Sequence, residues 1–224
     1  EDEVLKRLEA GGKGRVVFST SGNVEFVLLQ FADPATELEG ERAHPKSRHP
    51  VLQDKAVRQA LGLLLDRKAM ESFVFGRTGV ASANFIVNPP RLTSPNTRAE
   101  HSVDKANAVL EAAGWKKGAD GIREKGGRKL RFVFQTSINP VRQKVQQVWK
   151  QACARAGIDL ELKGVQAAVF FSSDVGNPDT ANKFWADLQM LGIAGRGPDP
   201  ILLMLRFASW EIASKANKWQ GRNV

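Results

Sequence analysis

The sequence predicts an α/β protein with a mixed sheet, a βαβ unit and flanking helices. Residues 130–135 (LRFVFQ) and 158–163 (IDLELK) have the apolar enrichment and alternation of strands. Between them, Asn139-Pro140 pairs a capping residue with proline at the first helical position, and apolar side chains recur every three or four residues over 140–156. A strand, a helix and a strand in this order predict a parallel pair with a right-handed crossover.

Capping residues and periodicity predict the remaining elements. Before the βαβ unit we expect a helix at 3–10, strands at 15–18 and 25–31, a long polar connection at 32–50, helices capped by Asp54, Asp66 and Ser102, a turn-rich segment at 77–100, and a hairpin turn at Gly126-Gly127. After the unit we expect a strand at 187–193, a glycine-proline loop and an apolar helix at 201–207.

Composition excludes several classes of protein. With 224 residues, 42% hydrophobic and 25% charged, the chain has the composition of a globular domain. No apolar run reaches the ~18 residues that a membrane-spanning helix needs. Cys153 is the only cysteine, so no disulfide framework is possible, and its helical surroundings predict a packed, inert thiol. The net charge of +9 fits nucleic acid, an acidic ligand or a basic soluble surface, and composition does not choose among them.

The sequence contains no recognisable catalytic or metal-binding motif. His44 and His49 lie in the polar connection without a cysteine nearby, which favours solvated loop histidines over metal ligands. The chain has no G-x-S-x-G elbow, and residues 11–14 (GGKG) do not match a phosphate-binding loop. We therefore expect no catalytic residue, metal or cofactor, and no enzyme.

A basic α/β nucleic-acid-binding domain is the alternative function that the charge leaves open. The densest basic runs are Lys116-Lys117 and residues 123–131, on the predicted hairpin. They lack aromatic side chains placed as a stacking platform, which makes nucleic acid the weaker interpretation.

Three aromatic residues stand in or beside turn-rich segments, namely Phe85, Trp210 and Trp219. Exposed rings in such segments can line a ligand cleft. Core packing is the alternative for each of them.

Residues 49–61 (HPVLQDKAVRQAL), with Leu65-Asp66-Arg67 after them, carry a resemblance to a known family. They resemble the "hP.l.D.rVRqAl..a.DR" block of the extracytoplasmic solute-binding proteins of family 5, the oligopeptide, dipeptide and nickel receptors of ABC importers. Further landmarks follow in the order of the family: 75–79 (FGRTG), 94–97 (SPNT), Lys105-Ala106, 110–115 (LEAAGW), 120–123 (DGIR), 156–158 (AGI) and 197–200 (GPDP).

This resemblance implies a lobe of the type II periplasmic-binding-protein kind. Residues 1–49 would be inter-domain lead-in strands with a long connection, and 50–224 a C-terminal ligand-binding lobe truncated before its returning segment. The implied partners are a small solute or peptide, the transmembrane subunits of an ABC permease and a missing N-terminal lobe of the same receptor. The resemblance further implies a periplasmic or membrane-associated extracytoplasmic location, a monomer and no nucleic acid.

The resemblance also points to a binding loop. Peptide receptors of this family commonly carry "GW..D..DP", whose aspartate captures the ligand's α-ammonium, and here Ile193 stands at the Trp position and Arg196 at the Asp position. The implied ligand-binding residues are Ile193, Ala194, Gly195, Arg196, Phe85 and Trp210. Arginine would suit an anionic ligand, because its planar fork binds carboxylates and phosphates bidentately. Alternatively, Arg196 points to solvent or the loop is shifted by a residue. We expect Asp199 to be structural, capping the helix entered at Pro200.

Overall fold

A computed structural model describes residues 2–19, 21–195, 197 and 199–224. Its strands are β1 (Val24–Leu29), β2 (Glu37–Leu38), β3 (Glu41–Arg42), β4 (Lys116–Lys117), β5 (Arg123–Lys125), β6 (Arg128–Lys129), β7 (Arg131–Ser137), β8 (Asp159–Val165) and β9 (Leu188–Ile193). Its α-helices are α1 (Asp2–Ala10), α2 (Lys55–Leu63), α3 (Arg67–Met70), α4 (Val103–Ala112), α5 (Pro140–Arg155), α6 (Ala167–Phe170) and α7 (Ile201–Met204). Short π and 3₁₀ turns are Glu71–Phe75, Gly76–Thr78, Pro90–Leu92, Leu205–Phe207, Ser209–Glu211 and Lys215–Asn217.

The central sheet has the strand order β1-β9-β7-β8. Strand β7 pairs in parallel with both β8 and β9, and β1 pairs antiparallel with β9. Helix α5 connects β7 to β8, so the predicted mixed α/β fold and its βαβ unit are confirmed. The carboxyl ends of the three parallel strands, Ser137, Val165 and Ile193, lie at one end of the sheet, together with Val24 at the start of β1. We refer to this end as the carboxyl edge and to the opposite end as the amino edge.

The helices begin where capping residues predict them. Asp54, Asp66, Ser102 and Asn139 each accept a hydrogen bond from a backbone N–H in the first turn of the helix that follows. Such a cap satisfies donors that the helix itself leaves unpaired and contributes about 1 kcal/mol. These four predictions are confirmed, and Asn139 orients the first turn of α5 at the carboxyl edge.

One face of the sheet is covered by α2, α4 and α5 and forms the main core. Phe134 on β7 meets Trp149 on α5 edge to face, with ring centres 5.2 Å apart. Cys153 of α5 is buried in the same core, and burial raises the pKa of its thiol, as expected for an inert thiol. Other buried side chains of this core include Leu52, Val57, Leu61, Leu64, Leu110, Leu130, Ile158, Leu160 and Leu188.

The opposite face of the sheet contains buried amides. Gln135 donates to Gln189 on the neighbouring strand at 2.6 Å, and Gln189 donates to the carbonyl of Ala181 at 3.0 Å. Both glutamines are buried, so these hydrogen bonds replace the bonds to water that their side-chain amides lose on folding. Beside them, Phe170 and Leu191 form a second, smaller apolar cluster.

The interpretation of His49 as a solvated loop histidine is wrong. His49 is 3% exposed, and its Nδ1 accepts the backbone N–H groups of Val51 and Leu52 at 3.1 and 2.9 Å. Its Nε2 therefore carries the proton and donates to Asp187 Oδ1 at 2.9 Å. The other oxygen of Asp187 accepts the N–H of Val133 at 2.6 Å. The polar connection is thus fastened to the amino edge of the sheet through one buried imidazole.

The prediction of a strand at residues 15–18 is also wrong, because this segment has no hydrogen-bonded partner strand in the described part of the chain. Val17 is 71% exposed, and Phe18 lies under the guanidinium of Arg77 with 5.4 Å between them. The hairpin turn at Gly126-Gly127 is confirmed: it joins β5 to β6, and both glycines have positive φ, +56° and +74°.

Candidate ligand-binding edge

The carboxyl edge begins with a close approach of two glycines. Beyond the last β1–β9 pair, the N–H of Gly195 donates to the carbonyl of Gly22 at 3.0 Å. A Cβ on Gly195 would lie 2.6 Å from that oxygen, and one on Gly22 would lie 3.0 Å from the Cα of Gly195. The chain entering β1 and the chain leaving β9 therefore stay paired outside the sheet only because both residues are glycines.

Three of the predicted ligand-binding residues lie at this edge. Ile193 ends β9 and is partly buried, Ala194 is exposed, and Gly195 makes the glycine contact. Arg196 lies outside the described residues. In open α/β sheets, ligands bind in the crevice beyond the carboxyl ends of the parallel strands, so the position of this loop suits a binding role.

Phe85 lies next to the edge within an aromatic row. Its ring contacts Phe26 of β1 at 5.0 Å and Phe207 at 5.2 Å, both edge to face. Phe26 pairs with Leu191, two residues before the end of β9, so this row lies on the second face of the sheet close to the carboxyl edge. Phe207 is 63% exposed and forms the outer end of the row.

The two tryptophans are placed differently from Phe85. Trp210 is 77% exposed, and within the described ranges no ring contact joins it to Phe85. Trp219 lies 6.4 Å from Trp185, and it lines a cavity at the amino edge. The structure therefore groups Ile193, Ala194 and Gly195 at the carboxyl edge, with Phe85 beside them and Trp219 at the other end.

The carboxyl edge also contains a charged pair that the sequence does not predict. Arg142, in the first turn of α5, donates through Nε and Nη2 to the two carboxylate oxygens of Glu25 at 3.1 and 2.8 Å. Its Nη1 donates to Ser137 Oγ at 2.7 Å. The pair lies over Gly192, where a Cβ would be 2.4 Å from Glu25 Oε1 and 3.1 Å from Arg142 Nη2. Glycine at this position of β9 leaves the space that the pair occupies.

This pair resolves an unfavourable arrangement of charge. A cation in the first turn of a helix is repelled by the positive end of the helix dipole. The Arg142 side chain is only 13% exposed, and its bidentate contact with Glu25, which is 33% exposed, compensates the charge. The position of Arg142 directly after Asn-Pro-Val, and so in the first turn of a predicted helix, was the one sequence signal that could have indicated this pair. Its partner is 117 residues away, which no local pattern reveals.

The densest basic run of the chain is largely neutralised. Arg123 has a buried side chain that pairs with Glu111 and donates to the carbonyls of Trp115 and Ala156 at 2.6 and 2.8 Å. Lys129 lies 2.6 Å from Asp120, and its hydrogen bond is the main reason that the pKa of this carboxyl is below its usual range. This hairpin is therefore an internally paired surface, and it offers little free charge to a nucleic-acid backbone.

Among the described residues, no group of three or more histidine, cysteine, aspartate or glutamate side chains is placed to hold a metal ion. Within the same ranges, no helix combines the length and the apolar character needed to cross a membrane.

Solved structures of solute receptors share this fold. NikZ from Campylobacter jejuni, in complex with Ni(L-His), matches 98% of this chain and 39% of its own chain with a TM-score of 0.69 at 17% identity. The oligopeptide binding protein of Thermus thermophilus, complexed with a pentapeptide, matches 77% of this chain and 30% of its own with a TM-score of 0.63 at 25% identity. The fold is therefore that of a lobe found in solute-binding receptors.

Sequence comparison identifies the family. The chain belongs to the bacterial extracellular solute-binding proteins of family 5, because residues 2–214 match the family model described as "Bacterial extracellular solute-binding proteins, family 5 Middle". The oligopeptide-binding protein AppA of Bacillus subtilis is 31% identical over 126 residues, which cover 53% of this chain and 23% of AppA. OppA of Lactococcus lactis is 31% identical over 123 residues, 52% of this chain and 20% of OppA. The matched stretch thus spans about a fifth of the length of these relatives.

Proposed function

We propose that this chain forms the solute-binding lobe of an ABC-importer receptor, which binds an oligopeptide and delivers it to a membrane permease without catalysis. Membership of the extracellular family over residues 2–214 is the observation that carries the proposal. Relatives named as oligopeptide-binding proteins in two organisms support a peptide as the ligand. A similar structure, from Sinorhizobium meliloti, is that of an ABC transporter substrate-binding protein, which supports the importer.

The carboxyl edge is the proposed binding surface of this lobe. Ile193, Ala194, Gly195 and Arg196 would contact the ligand from the loop after β9, Phe85 would line the side of the cleft, and Trp210 would close over it. The exposed Ala194 and the partly exposed Phe85 next to the edge support the first of these roles, and the 77% exposure of Trp210 leaves its ring accessible to a ligand. The fully engaged guanidinium of Arg142 is left out, because each of its nitrogens already has a partner.

Arg196 is proposed to select a ligand with an acidic side chain or terminus. The sequence places arginine where the peptide receptors of this family commonly have aspartate, and a guanidinium reverses the charge that the loop offers to a ligand. Asp199 is assigned a structural role in the same loop: its Oδ1 accepts the N–H of Ile201 at 2.9 Å, at the entry to α7.

The proposal includes a domain organisation for the whole receptor. Residues 50–224 would form the C-terminal lobe and residues 1–49 its lead-in, with β1 of the lead-in inserted beside β9. A second lobe from the remainder of the receptor would close over the carboxyl edge, and the assembled receptor would work as a monomer in the periplasm.

Native mass spectrometry of the intact receptor, purified from its host, tests the ligand class. We expect a co-purified peptide whose mass is lost on denaturation. Calorimetry with acidic, neutral and basic peptides then tests Arg196: the Arg196→Ala variant should lose the preference for acidic peptides. Arg128→Ala, at an exposed arginine of β6 next to the start of β7 and so at the opposite end of the sheet, should keep it. If the receptor binds peptides but does not prefer acidic ones, only the proposed role of Arg196 is refuted, and the proposed receptor function stands. If the protein binds no solute but binds random DNA with an affinity that falls steeply with salt, the receptor function is refuted and nucleic-acid binding takes its place.

A further inference from the structure

A cavity of about 210 Å³ lies at the amino edge, at the opposite end of the sheet from the proposed ligand surface. Four stretches of chain meet around it, residues 29–32, 41–48, 182–184 and 212–224. The volume is sufficient for a group of several non-hydrogen atoms, since one liquid water takes up about 30 Å³. Apolar walls, including Phe184 and Trp219, surround a few polar side chains, as in many small-ligand sites.

Positive charge dominates the polar lining of this cavity. Arg42, Arg48 and Lys183 line it, and Glu41 is the acidic side chain of the lining. Lys183 is 6% exposed, and its Nζ lies 4.8 Å from the ring centre of Trp185 and 4.7 Å from that of Trp219. Burial lowers the pKa of Lys183, against the opposing effect of the charge on Asp174. The cavity wall is therefore a place where an added negative charge would be stabilised.

The two arginines retain unused hydrogen-bond donors. The guanidinium of Arg42 rests on the ring of Trp185 at 4.9 Å. Toward the described residues it forms one hydrogen bond, from its Nε to the carbonyl of Pro34 at 2.7 Å. The guanidinium of Arg48 has no hydrogen-bond or ion-pair partner among the residues that the structure describes. This differs from Arg142 at the carboxyl edge, where every nitrogen is engaged. Guanidinium groups with free N–H pairs are suited to bidentate contact with an oxyanion.

We propose that this cavity is an accessory binding site for a small oxyanion, with a carboxylate or phosphate group held by Arg42 and Arg48. Lys183, whose Nζ also donates to the carbonyl of Val175 at 2.6 Å, adds a third positive charge from the inner wall, and Trp219 provides an apolar surface for the rest of the ligand. The site is separate from the carboxyl edge, so it does not depend on the proposed peptide ligand.

Calorimetric titration of the intact protein with inorganic phosphate and with succinate tests the site and distinguishes the two oxyanions. We expect saturable binding of at least one of them, weakened about tenfold or more in Arg42→Gln/Arg48→Gln, because charge-assisted hydrogen bonds are lost. The control Arg91→Gln/Arg98→Gln removes the same charge from exposed arginines that do not line the cavity, and it should bind as the unmodified protein does.

The single variant Arg48→Gln separates an effect on binding from an effect on folding, because the Arg48 side chain has no partner among the described residues that the substitution would remove. It should retain the unfolding temperature and still bind the oxyanion several-fold more weakly. Absence of saturable binding of both anions, or equal weakening in the cavity variant and the control, would overturn the proposal.

Discussion

The two ends of the central sheet are held together in different ways. At the amino edge, the buried His49 joins Asp187 to two backbone N–H groups of the polar connection. At the carboxyl edge, two glycine backbones touch and a partly exposed pair, Glu25 and Arg142, spans from β1 to α5. Buried polar networks tolerate little change, whereas partly solvated pairs can adapt. We therefore expect substitutions in the contacts of the amino edge to cost more stability than substitutions in the contacts of the carboxyl edge.

The largest expected effect is at His49. His49→Ala should lower the free energy of unfolding by about 2 to 4 kcal/mol, because it leaves Asp187 Oδ1 and the N–H groups of Val51 and Leu52 without their present partner. Urea unfolding followed by circular dichroism measures the change. His44→Ala, in the same connection, is the matched control and should cost less. Equal losses in the two variants would mean that the amino edge does not depend on the buried imidazole.

An intermediate effect is expected at the glycine contact. Gly195→Ala should lower the free energy of unfolding by about 1 to 3 kcal/mol, because its Cβ would overlap the carbonyl of Gly22 and separate the two chains. Gly62→Ala is the control: nothing lies near the new Cβ in helix α2, and alanine favours a helix by up to about 1 kcal/mol. The two substitutions should shift the thermal midpoint in opposite directions, and a loss in both would contradict the contact.

The smallest effect is expected for the charged pair. A double-mutant cycle with Glu25→Gln and Arg142→Gln should give a coupling of about 0.5 to 2 kcal/mol, lower at high salt, because both side chains keep some contact with water. Chemical unfolding of the four proteins at two salt concentrations provides the measurement. A coupling as large as the cost of His49→Ala would contradict the distinction between the two edges.

Local signals predicted the framework of this fold well. Asp54, Ser102 and Asn139 act within three residues of their own position, so their role can be recognised from the sequence alone. The strand wrongly predicted at residues 15–18 has a suitable composition but no partner in the described part of the chain, and pairing is a property of the whole fold.

The candidate site was predictable only in part. The loop at 193–195 follows from its order in the family pattern and does lie at the carboxyl edge. The pair of Glu25 with Arg142, the burial of His49 and the arginine-lined cavity depend on contacts between distant segments, which neither periodicity nor spacing encodes.

The packing of the pair of Glu25 with Arg142 over Gly192 predicts which residues related receptors can have at these three positions. A side chain at this position and the pair of Glu25 with Arg142 compete for the same volume above β9. Homologues that replace Gly192 by a larger residue should therefore lack the pair, and homologues that keep both charged residues should keep glycine. The three positions are expected to change together in evolution, although they are widely separated along the chain, and sequences of the family can reveal this covariation without any further structure.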